Sequence, residues 1–269
     1  MLSQKVESGD HDTELARSHR PQGELPEWES KGGGNVNVAY NMDCMEAMRC
    51  MPNKAFDLAV VDPIYGDVTK GGYITGKSQG GVGPHPKHDA EMWSQPKTGQ
   101  EYFDELFRIS KNQIIFGGNY FTREIARDSQ CWIVWDKCHP PGIKFADAEL
   151  AWTSFDRATR IFRFMWNGMC QGTPGNGTKM QGNKALNEVR IHTAQKPVEL
   201  YRWIFREFAS PGIKILDTHL GSGSSRIAAY DAGLDFEGYE LLPKIFKKQE
   251  RRYEWHTSQL TLFDEEAAT

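Results

Sequence analysis

Apolar and polar positions follow two periods along most of the chain, and this pattern predicts strands separated by helices. Short apolar runs lie at residues 35–40, 55–61, 113–118, 131–136, 148–152, 213–217 and 236–240, each with the length and composition of a strand. Apolar residues recur at helical spacing across residues 100–111, and residues 192–200 open a second helix that ends near residue 208. Shorter helices are expected near residues 43–51, 119–128, 224–231 and 243–255. Strands that alternate with helices predict an α/β fold with a mostly parallel, doubly wound sheet.

The two ends of the chain lack this pattern. Residues 1–30 contain three Lys/Arg and seven Asp/Glu, and a run of three glycines, residues 32–34, follows. Such a segment is typical of a disordered or loosely attached arm that ends in a flexible joint. We therefore expect one domain over residues 35–255, preceded by an arm (residues 1–34) and followed by a flexible tail (residues 256–269).

Composition and charge exclude several classes of protein. The 269 residues are long enough for one large α/β domain, and the net charge of −4 gives no overall attraction for nucleic acid. No apolar run reaches membrane-spanning length, and the N-terminus does not resemble a signal peptide. The five cysteines never occur as C-x-x-C, and His85 and His88 do not form a convincing metal-binding pattern. We expect no metal site, no disulfide framework and a cytoplasmic location.

The stretch at residues 60–66 is where a buried strand stops at polar and aromatic residues. Asp62, Pro63 and Tyr65 follow the apolar run, and ligands of open α/β sheets bind just beyond the carboxyl ends of the strands. Pro63 biases Asp62 toward an extended backbone. This corner suits a planar ligand that carries an amino group, because Tyr65 can stack on the ring while Asp62 and the neighbouring carbonyl accept two N–H bonds. The alternative is an ordinary strand end followed by a turn.

A glycine-containing turn at residues 217–225 connects another strand to a helix. Gly221 and Gly223 let a ligand approach the backbone closely. A P-loop would need a lysine after the glycines, and a dinucleotide site would need glycine where Arg226 stands. A site for S-adenosylmethionine needs neither, but it needs an acid after the next strand for the ribose hydroxyls, and Glu240 occupies that place.

These motifs together resemble a known family. Asp62-Pro63-Ile64-Tyr65 resembles the D-P-P-Y motif of S-adenosylmethionine-dependent DNA amino-methyltransferases, with Ile64 in place of proline. Residues 217–225 resemble the family's D-P-F-x-G-S-G-[ST] turn, with Thr218 and His219 departing, and residues 195–197 resemble the element before it. The catalytic motif precedes the cofactor motif, which is the order of the β class. The resemblance covers about residues 35–255 and implies a Rossmann-like methyltransferase fold with an inserted recognition region.

The resemblance also implies an activity and a set of site residues. The expected enzyme methylates the N6 amine of adenine at specific sites in double-stranded DNA, as restriction-modification enzymes do. Adenine is favoured because the motif begins with Asp62, where cytosine-N4 enzymes more often have serine. The expected catalytic residues are Asp62, Pro63 and Tyr65, and the expected cofactor-binding residues are Asp62, Lys196, Asp217, Gly221, Ser222, Gly223, Glu240 and Asp43.

Several alternatives remain open. Asp43 is also placed to cap the helix that follows it, and the sequence favours that role. The departures at Ile64, Thr218 and His219 leave room for a cytosine-N4 or RNA amino-methyltransferase, or for a non-catalytic DNA-binding relative. Many β-class relatives dimerise, so a homodimer is a further expectation.

One region has the charge expected of a DNA-binding surface. Residues 157–206 carry nine Lys/Arg and two Asp/Glu, a net charge of +7 in a chain that is negative overall. We expect an inserted recognition region at residues 157–190, with Lys179, Lys184 and Arg190 at phosphates. A solvated basic face is the alternative. The glycine-rich residues 67–99 are expected to form either a flap over the site or a plain surface loop.

The end of the chain carries a short motif of its own. Gln259, Leu260, Leu262 and Phe263 resemble the Q-L-x-L-F peptide by which bacterial polymerases and repair proteins bind the sliding clamp. Apolar side chains on a flexible tail could enter a pocket on such a partner. The alternative is that the tail folds back and buries them on its own domain.

Overall fold

The computed structural model describes residues 36–66, 96–139, 146–167, 170–173, 187–192 and 194–267, with side chains up to residue 259. Within these ranges the chain forms an eight-stranded sheet and a separate two-stranded sheet. The predicted arm, most of the glycine-rich residues 67–99, and both Lys179 and Lys184 lie outside the described residues.

The strands fall close to the predicted apolar runs. They are β1 (Asn37–Tyr40), β2 (Phe56–Val61), β3 (Ser110–Phe116), β4 (Trp132–Asp136), β5 (Ala148–Thr153), β6 (Arg160–Arg163), β7 (Met165–Asn167), β8 (Cys170–Gly172), β9 (Lys214–Asp217) and β10 (Asp235–Tyr239). The large sheet has the order β1-β10-β9-β2-β3-β5-β4-β6, and β7 pairs with β8. β5 is antiparallel to both of its neighbours, whereas the other pairs of the large sheet are parallel. The prediction of a mostly parallel sheet is confirmed.

The helices pack apolar faces against this sheet. They are α1 (Cys44–Cys50), α2 (Gln100–Ile109), α3 (Thr122–Ile125), α4 (Val198–Phe208), α5 (Ser224–Asp231) and α6 (Pro243–Ala267). In α4 the buried residues Leu200, Tyr201, Ile204, Phe205 and Phe208 recur three or four positions apart. Each large apolar side chain that is fully buried contributes about 1.5–3 kcal/mol, so this stripe fixes the helix on the sheet.

Two elements in the middle of the chain differ from the prediction. The helix expected at residues 119–128 is a 3-10 turn (Gly118–Tyr120) followed by α3, which is only four residues long. The left-handed backbone of Gly117 and of Ala126, at φ 64° and 45°, interrupts the helical geometry at both ends. Residues 160–163, expected in the inserted recognition region, instead form β6 at the edge of the large sheet, parallel to β4. That part of residues 157–190 therefore belongs to the sheet.

The last helix is longer than expected. The sequence predicted a helix to residue 255 and a flexible tail after it, but α6 continues to Ala267. Residues 256–267 are thus helical, which the sequence did not predict for the tail. No helix among the described residues is both long and apolar enough to cross a membrane.

Candidate active site

A cavity of about 190 Å³ lies at the carboxyl ends of β1, β2, β9 and β10. Most of its walls come from the segments that follow these strands, residues 42–44, 62–66, 218–222 and 239–242, together with His192 and residues 194–196. The parallel arrangement is what brings these segments together, because parallel strands end at the same edge of the sheet. The stretch at residues 60–66 and the glycine-containing turn therefore share one cavity, although about 155 residues separate them in the sequence.

The two carboxylate oxygens of Asp62 have different surroundings. Oδ2 accepts a hydrogen bond from the ammonium of Lys196. Oδ1 is buried and has no hydrogen-bond partner among the described residues. Burial raises the pKa of Asp62 above its usual value, and the nearby Lys196 ammonium acts in the opposite direction. Asp62, which lines the cavity, therefore has one acceptor that no described residue uses.

Tyr65 stands beside this acceptor in an aromatic cluster. Its ring stacks on Tyr120 with centroids 4.9 Å apart and an interplanar angle of 17°, and it meets the ring of Phe121 edge-on. A Cβ atom added at Gly117, where φ is +64°, would lie 2.8 Å from Cδ1 of Tyr65. The Thr98 amide donates to the carbonyl of Ile64 at 2.8 Å and holds the loop in place. Sequence reasoning missed Gly117 and Tyr120, although the glycine pair after an apolar run was a signal for a close backbone approach.

Lys196 is buried and lies between two carboxylates. Besides Asp62, its Nζ lies 3.5 Å from Oε2 of Glu149, whose Oε1 lies 2.6 Å from Nζ of Lys137. Burial alone would lower the pKa of Lys196, but the charges of Asp62 and Glu149 outweigh it and raise that pKa well above its usual value. The sequence analysis assigned Lys196 to the cofactor. The structure places it in the cavity wall with its charge directed at Asp62, and it adds Glu149 and Lys137, which the sequence did not single out.

The glycine-containing turn is held by its neighbouring carboxylates. Glu240 accepts the amide of Gly221 at 2.9 Å through Oε2 and the amide of Leu242 at 2.8 Å through Oε1. Gly221, Ser222 and Glu240 line the cavity. Burial raises the pKa of Glu240, and its hydrogen bonds to the two amides oppose the shift.

Asp217 and Gly223 have structural positions instead of lining the cavity. Asp217 accepts the amide of His219 at 3.0 Å and the hydroxyl of Ser225 at 2.5 Å, and burial raises its pKa to about 7. A Cβ atom at Gly223 would lie 2.9 Å from Oε1 of Gln249, a residue of α6. The glycine at residue 223 thus makes room for helix packing, so the expectation that both residues contact a cofactor has no support in this geometry.

The residues that depart from the family motif make contacts of their own. The hydroxyl of Thr218 lies 2.6 Å from that of Tyr102 in α2 and 2.9 Å from Nδ1 of His219. Burial lowers the pKa of His219 to about 4, so its ring is neutral near pH 7. Asp43, which also lines the cavity, caps α1 by accepting the amide of Met45 at 2.8 Å, as the sequence favoured.

The predicted DNA-contacting residues are only partly described. Arg190 is exposed, donates to the carbonyl of Trp166 at 2.6 Å and lies over the ring of the same residue at 4.5 Å. Lys179 and Lys184 lie outside the described residues. Among the residues that are described, no group of three or more His, Cys, Asp or Glu side chains could hold a metal ion.

Comparisons with known proteins agree on one family. Residues 127–251 match the family described as DNA methylase. The type II methyltransferase M.HinfI of Haemophilus influenzae is 23% identical, over 81% of this chain and 68% of its own length. YubD of Escherichia coli K12, named as a methylase, is 24% identical, over 78% of this chain and 87% of its own length.

Solved structures share the fold. A Thermus thermophilus protein described as a DNA modification methylase superposes with a TM-score of 0.51 at 18% identity, over 82% of this chain and 95% of its own. The PvuII DNA methyltransferase, described as cytosine-N4-specific, gives a TM-score of 0.53 at 14% identity, over 82% and 87%. The Rossmann-like methyltransferase fold expected from the sequence is confirmed. Residues 127–251 therefore match the DNA methylase family, and the chain has the fold of a solved protein described as a DNA modification methylase.

Proposed function

We propose that this chain transfers a methyl group from S-adenosylmethionine to the N6 amine of adenine in double-stranded DNA. The observation that carries the proposal is that Asp62 lines the cavity and that its buried Oδ1 has no partner among the described residues. Leaving such an atom unsatisfied costs about 1–3 kcal/mol, which a donor from the substrate would recover. An exocyclic amine is a donor of the right kind.

Three neighbouring groups would orient the target base. The base must leave the DNA stack to reach the cavity. Tyr65 would stack on its ring, while Oδ1 of Asp62 and the carbonyl of Pro63 accept the two amine hydrogens. Held in this way, the amine directs its lone pair at the methyl group, and one amine proton leaves through Asp62 to water. Positioning of this kind, rather than a strong base, would supply most of the rate.

The other end of the cavity fits the cofactor. When bound, S-adenosylmethionine supplies an activated methyl group on a sulfonium. Glu240 would accept the ribose hydroxyls with its remaining lone pairs, while the backbone at Gly221 and Ser222 borders the amino-acid end. Asp43 also borders the cavity and would lie near the adenine. We do not assign a cofactor contact to Asp217 or Gly223, because both are engaged in holding the turn and α6.

The wider partners follow from this activity. Arg190, Lys179 and Lys184 would contact DNA phosphates, and the enzyme would act in the cytoplasm. We further propose that residues 259–263 bind a sliding clamp and that two copies form a homodimer. Since α6 reaches Ala267, clamp binding as an extended peptide would require the end of this helix to unwind. The double variant Leu262→Ala, Phe263→Ala tests the clamp proposal: it should lose clamp binding and still methylate short DNA.

A second candidate, cytosine-N4 methylation, is favoured by one observation. The cytosine-N4-specific PvuII enzyme has the same fold, and both targets are exocyclic amines on planar rings. The two activities need the same kind of acceptor, so the product has to decide between them.

Identification of the methylated nucleoside tests the proposal. The purified chain is incubated with radiolabelled S-adenosylmethionine and unmethylated genomic DNA, and the DNA is digested to nucleosides. We expect label in N6-methyladenine. Asp62→Asn should lower kcat by at least about a hundredfold, as expected when a group that orients the reacting atoms is lost, with cofactor affinity within about tenfold.

A matched control separates this effect from the loss of any ion pair. Glu207→Gln removes a carboxylate that lies 3.2 Å from Arg157, away from the cavity, and it should leave kcat unchanged. If the label appears in N4-methylcytosine instead, the activity is the second candidate, cytosine-N4 methylation. No label in DNA, with tight cofactor binding, would contradict both.

A further inference from the structure

Four charged side chains from separate parts of the fold form a row of ion pairs that begins in the cavity wall. Asp62 follows β2, Glu149 lies in β5, Lys137 follows β4, and Lys196 precedes α4. Their order in space is Asp62, Lys196, Glu149, Lys137, with Lys196 between the two carboxylates. Lys196 also lies over the ring of Phe116, 4.6 Å from its centroid. An ammonium held from several sides has little freedom to move.

The two carboxylate oxygens of Asp62 have different surroundings in this row of ion pairs. Lys196 donates to Oδ2, whereas Oδ1 is buried and has no hydrogen-bond partner among the described residues. A carboxylate whose one oxygen is tied down cannot rotate freely, so the direction of the other oxygen is set as well. The position of Lys196 therefore decides where the free acceptor of Asp62 points.

We propose that Glu149 is a positioning residue: it holds Lys196 against Oδ2 of Asp62 so that Oδ1 is presented to the target amine. This inference rests on the proposed function, because it takes Asp62 as the acceptor of the amine. Glu149 does not touch the substrate in this account. Its effect reaches the reaction only through Lys196 and Asp62.

The charges around Asp62 give the proposal a signature that simple structural damage would not produce. Lys196 lowers the pKa of Asp62 and Glu149 raises it, on top of the increase that burial causes. The charged groups that face Asp62 from the packed elements are Lys196, Glu149, Lys137 and Asp217, and the neighbouring phenols are Tyr65, Tyr102 and Tyr201. Removing the positive charge of Lys196 and removing the negative charge of Glu149 should therefore move the titration of Asp62 in opposite directions.

The experiment compares Lys196→Met with Glu149→Gln. Asp62 must be ionised to accept the amine, so activity falls on the acid side as pH drops through its pKa. In Lys196→Met the pKa of Asp62 rises, and the acid limb of the kcat profile should move to higher pH. In Glu149→Gln that pKa falls, because Lys196 stays beside Asp62 while the negative charge of Glu149 is gone, and the limb should move to lower pH. The plateau kcat should drop about ten- to a hundredfold, because Lys196 is no longer fixed in direction from its far side. Glu207→Gln, with a similar exposed fraction and its own ion pair, should change neither.

A second readout does not depend on activity. The carboxyl ¹³C signal of Asp62, assigned with Asp62→Asn, is titrated in the cofactor-free protein and in each variant. If Lys196→Met fails to fold, Glu149→Gln decides alone. An unmoved or upward-shifted Asp62 titration in Glu149→Gln, or a plateau kcat equal to that of the unmodified chain, would overturn the inference.

The two proposals can fail separately. If the unmodified chain labels no DNA but the Asp62 titration moves in opposite directions in the two variants, the coupling stands and the proposed function falls. If the chain methylates DNA and the titration does not move, the function stands and Glu149 is not a positioning residue.

Discussion

The ring of Tyr65 depends on a residue that carries no side chain. Gly117 has a φ of +64°, and a Cβ atom there would come within 2.8 Å of the ring. We expect Gly117→Ala to cost about 1–2 kcal/mol in stability, since an alanine is strained in that backbone conformation, and to lower kcat more than it raises KM by displacing Tyr65. Gly99→Ala is the control, because its Cβ would meet nothing within 4 Å. The measurements are thermal unfolding and initial rates; equal effects of the two changes would contradict the contact with Tyr65.

A second residue-scale prediction concerns Asp217 and pH. Burial raises its pKa in the folded chain to about 7, above the usual value of 3.8. A raised pKa means that the folded state holds the proton more tightly, so this contribution to stability is present at low pH and is lost as pH rises through about 7. Asp217→Asn mimics the protonated form: it can accept from the His219 amide and donate to Ser225. The free energy of unfolding of Asp217→Asn, measured in urea and expressed relative to that of the unmodified chain, should therefore be larger at pH 8 than at pH 5. A difference that stays constant over this range would contradict the assignment.

At the scale of elements, a pair of glycines separates backbone strain from packing. Gly223 and Gly212 have nearly the same φ, +74° and +75°, but only Gly223 faces Gln249 of α6, whereas a Cβ at Gly212 would meet nothing within 4 Å. Alanine should be strained at both positions, and Gly223→Ala should cost about 1–3 kcal/mol more because it overpacks the contact with α6. Thermal unfolding measures the difference. Cofactor affinity measured by calorimetry should fall in Gly223→Ala only in step with stability; a selective loss of affinity would return Gly223 to the cofactor site.

Elements were predictable from the sequence where a local period decided them. The apolar run of β2 and the three-to-four spacing of α4 fix both elements within a few residues, and the motif order placed Asp62 and Glu240 at one edge. What the sequence could not supply was the order of strands that are distant in sequence. Glu149 reaches Lys196 because β5 enters between β3 and β4 and runs antiparallel to both, and no local pattern encodes that insertion. β6 was missed for a related reason, since its polar edge-strand sequence resembles an exposed loop.

For the whole molecule, DNA binding should depend on local charge in a chain whose net charge is −4. Neutralising Lys179 and Lys184 to glutamine should weaken DNA binding and reduce the slope of log K against log salt by about 1 for each phosphate that is no longer neutralised. Lys111→Gln is the control, because Lys111 is half-exposed at the opposite, amino-terminal edge of the sheet, 2.7 Å from Asp57. Binding titrations over a salt series make the comparison. Identical slopes for all three proteins would leave residues 157–190 as a solvated basic face.

The pairing of the first strands with the last ones has a consequence for how the chain is made. β1 pairs only with β10 among the described strands, and β2 lies between β3 and β9, so the centre of the sheet joins the two ends of the sequence. During synthesis β1 emerges first, yet roughly 195 residues separate it from β10, and one edge of β2 waits roughly 150 residues for β9. Closing such long loops is slow. Until then their unpaired edges are exposed to aggregation or to chaperones. A fragment that ends before α4 should therefore be insoluble alone and should become soluble when the segment from α4 onward is co-expressed with it.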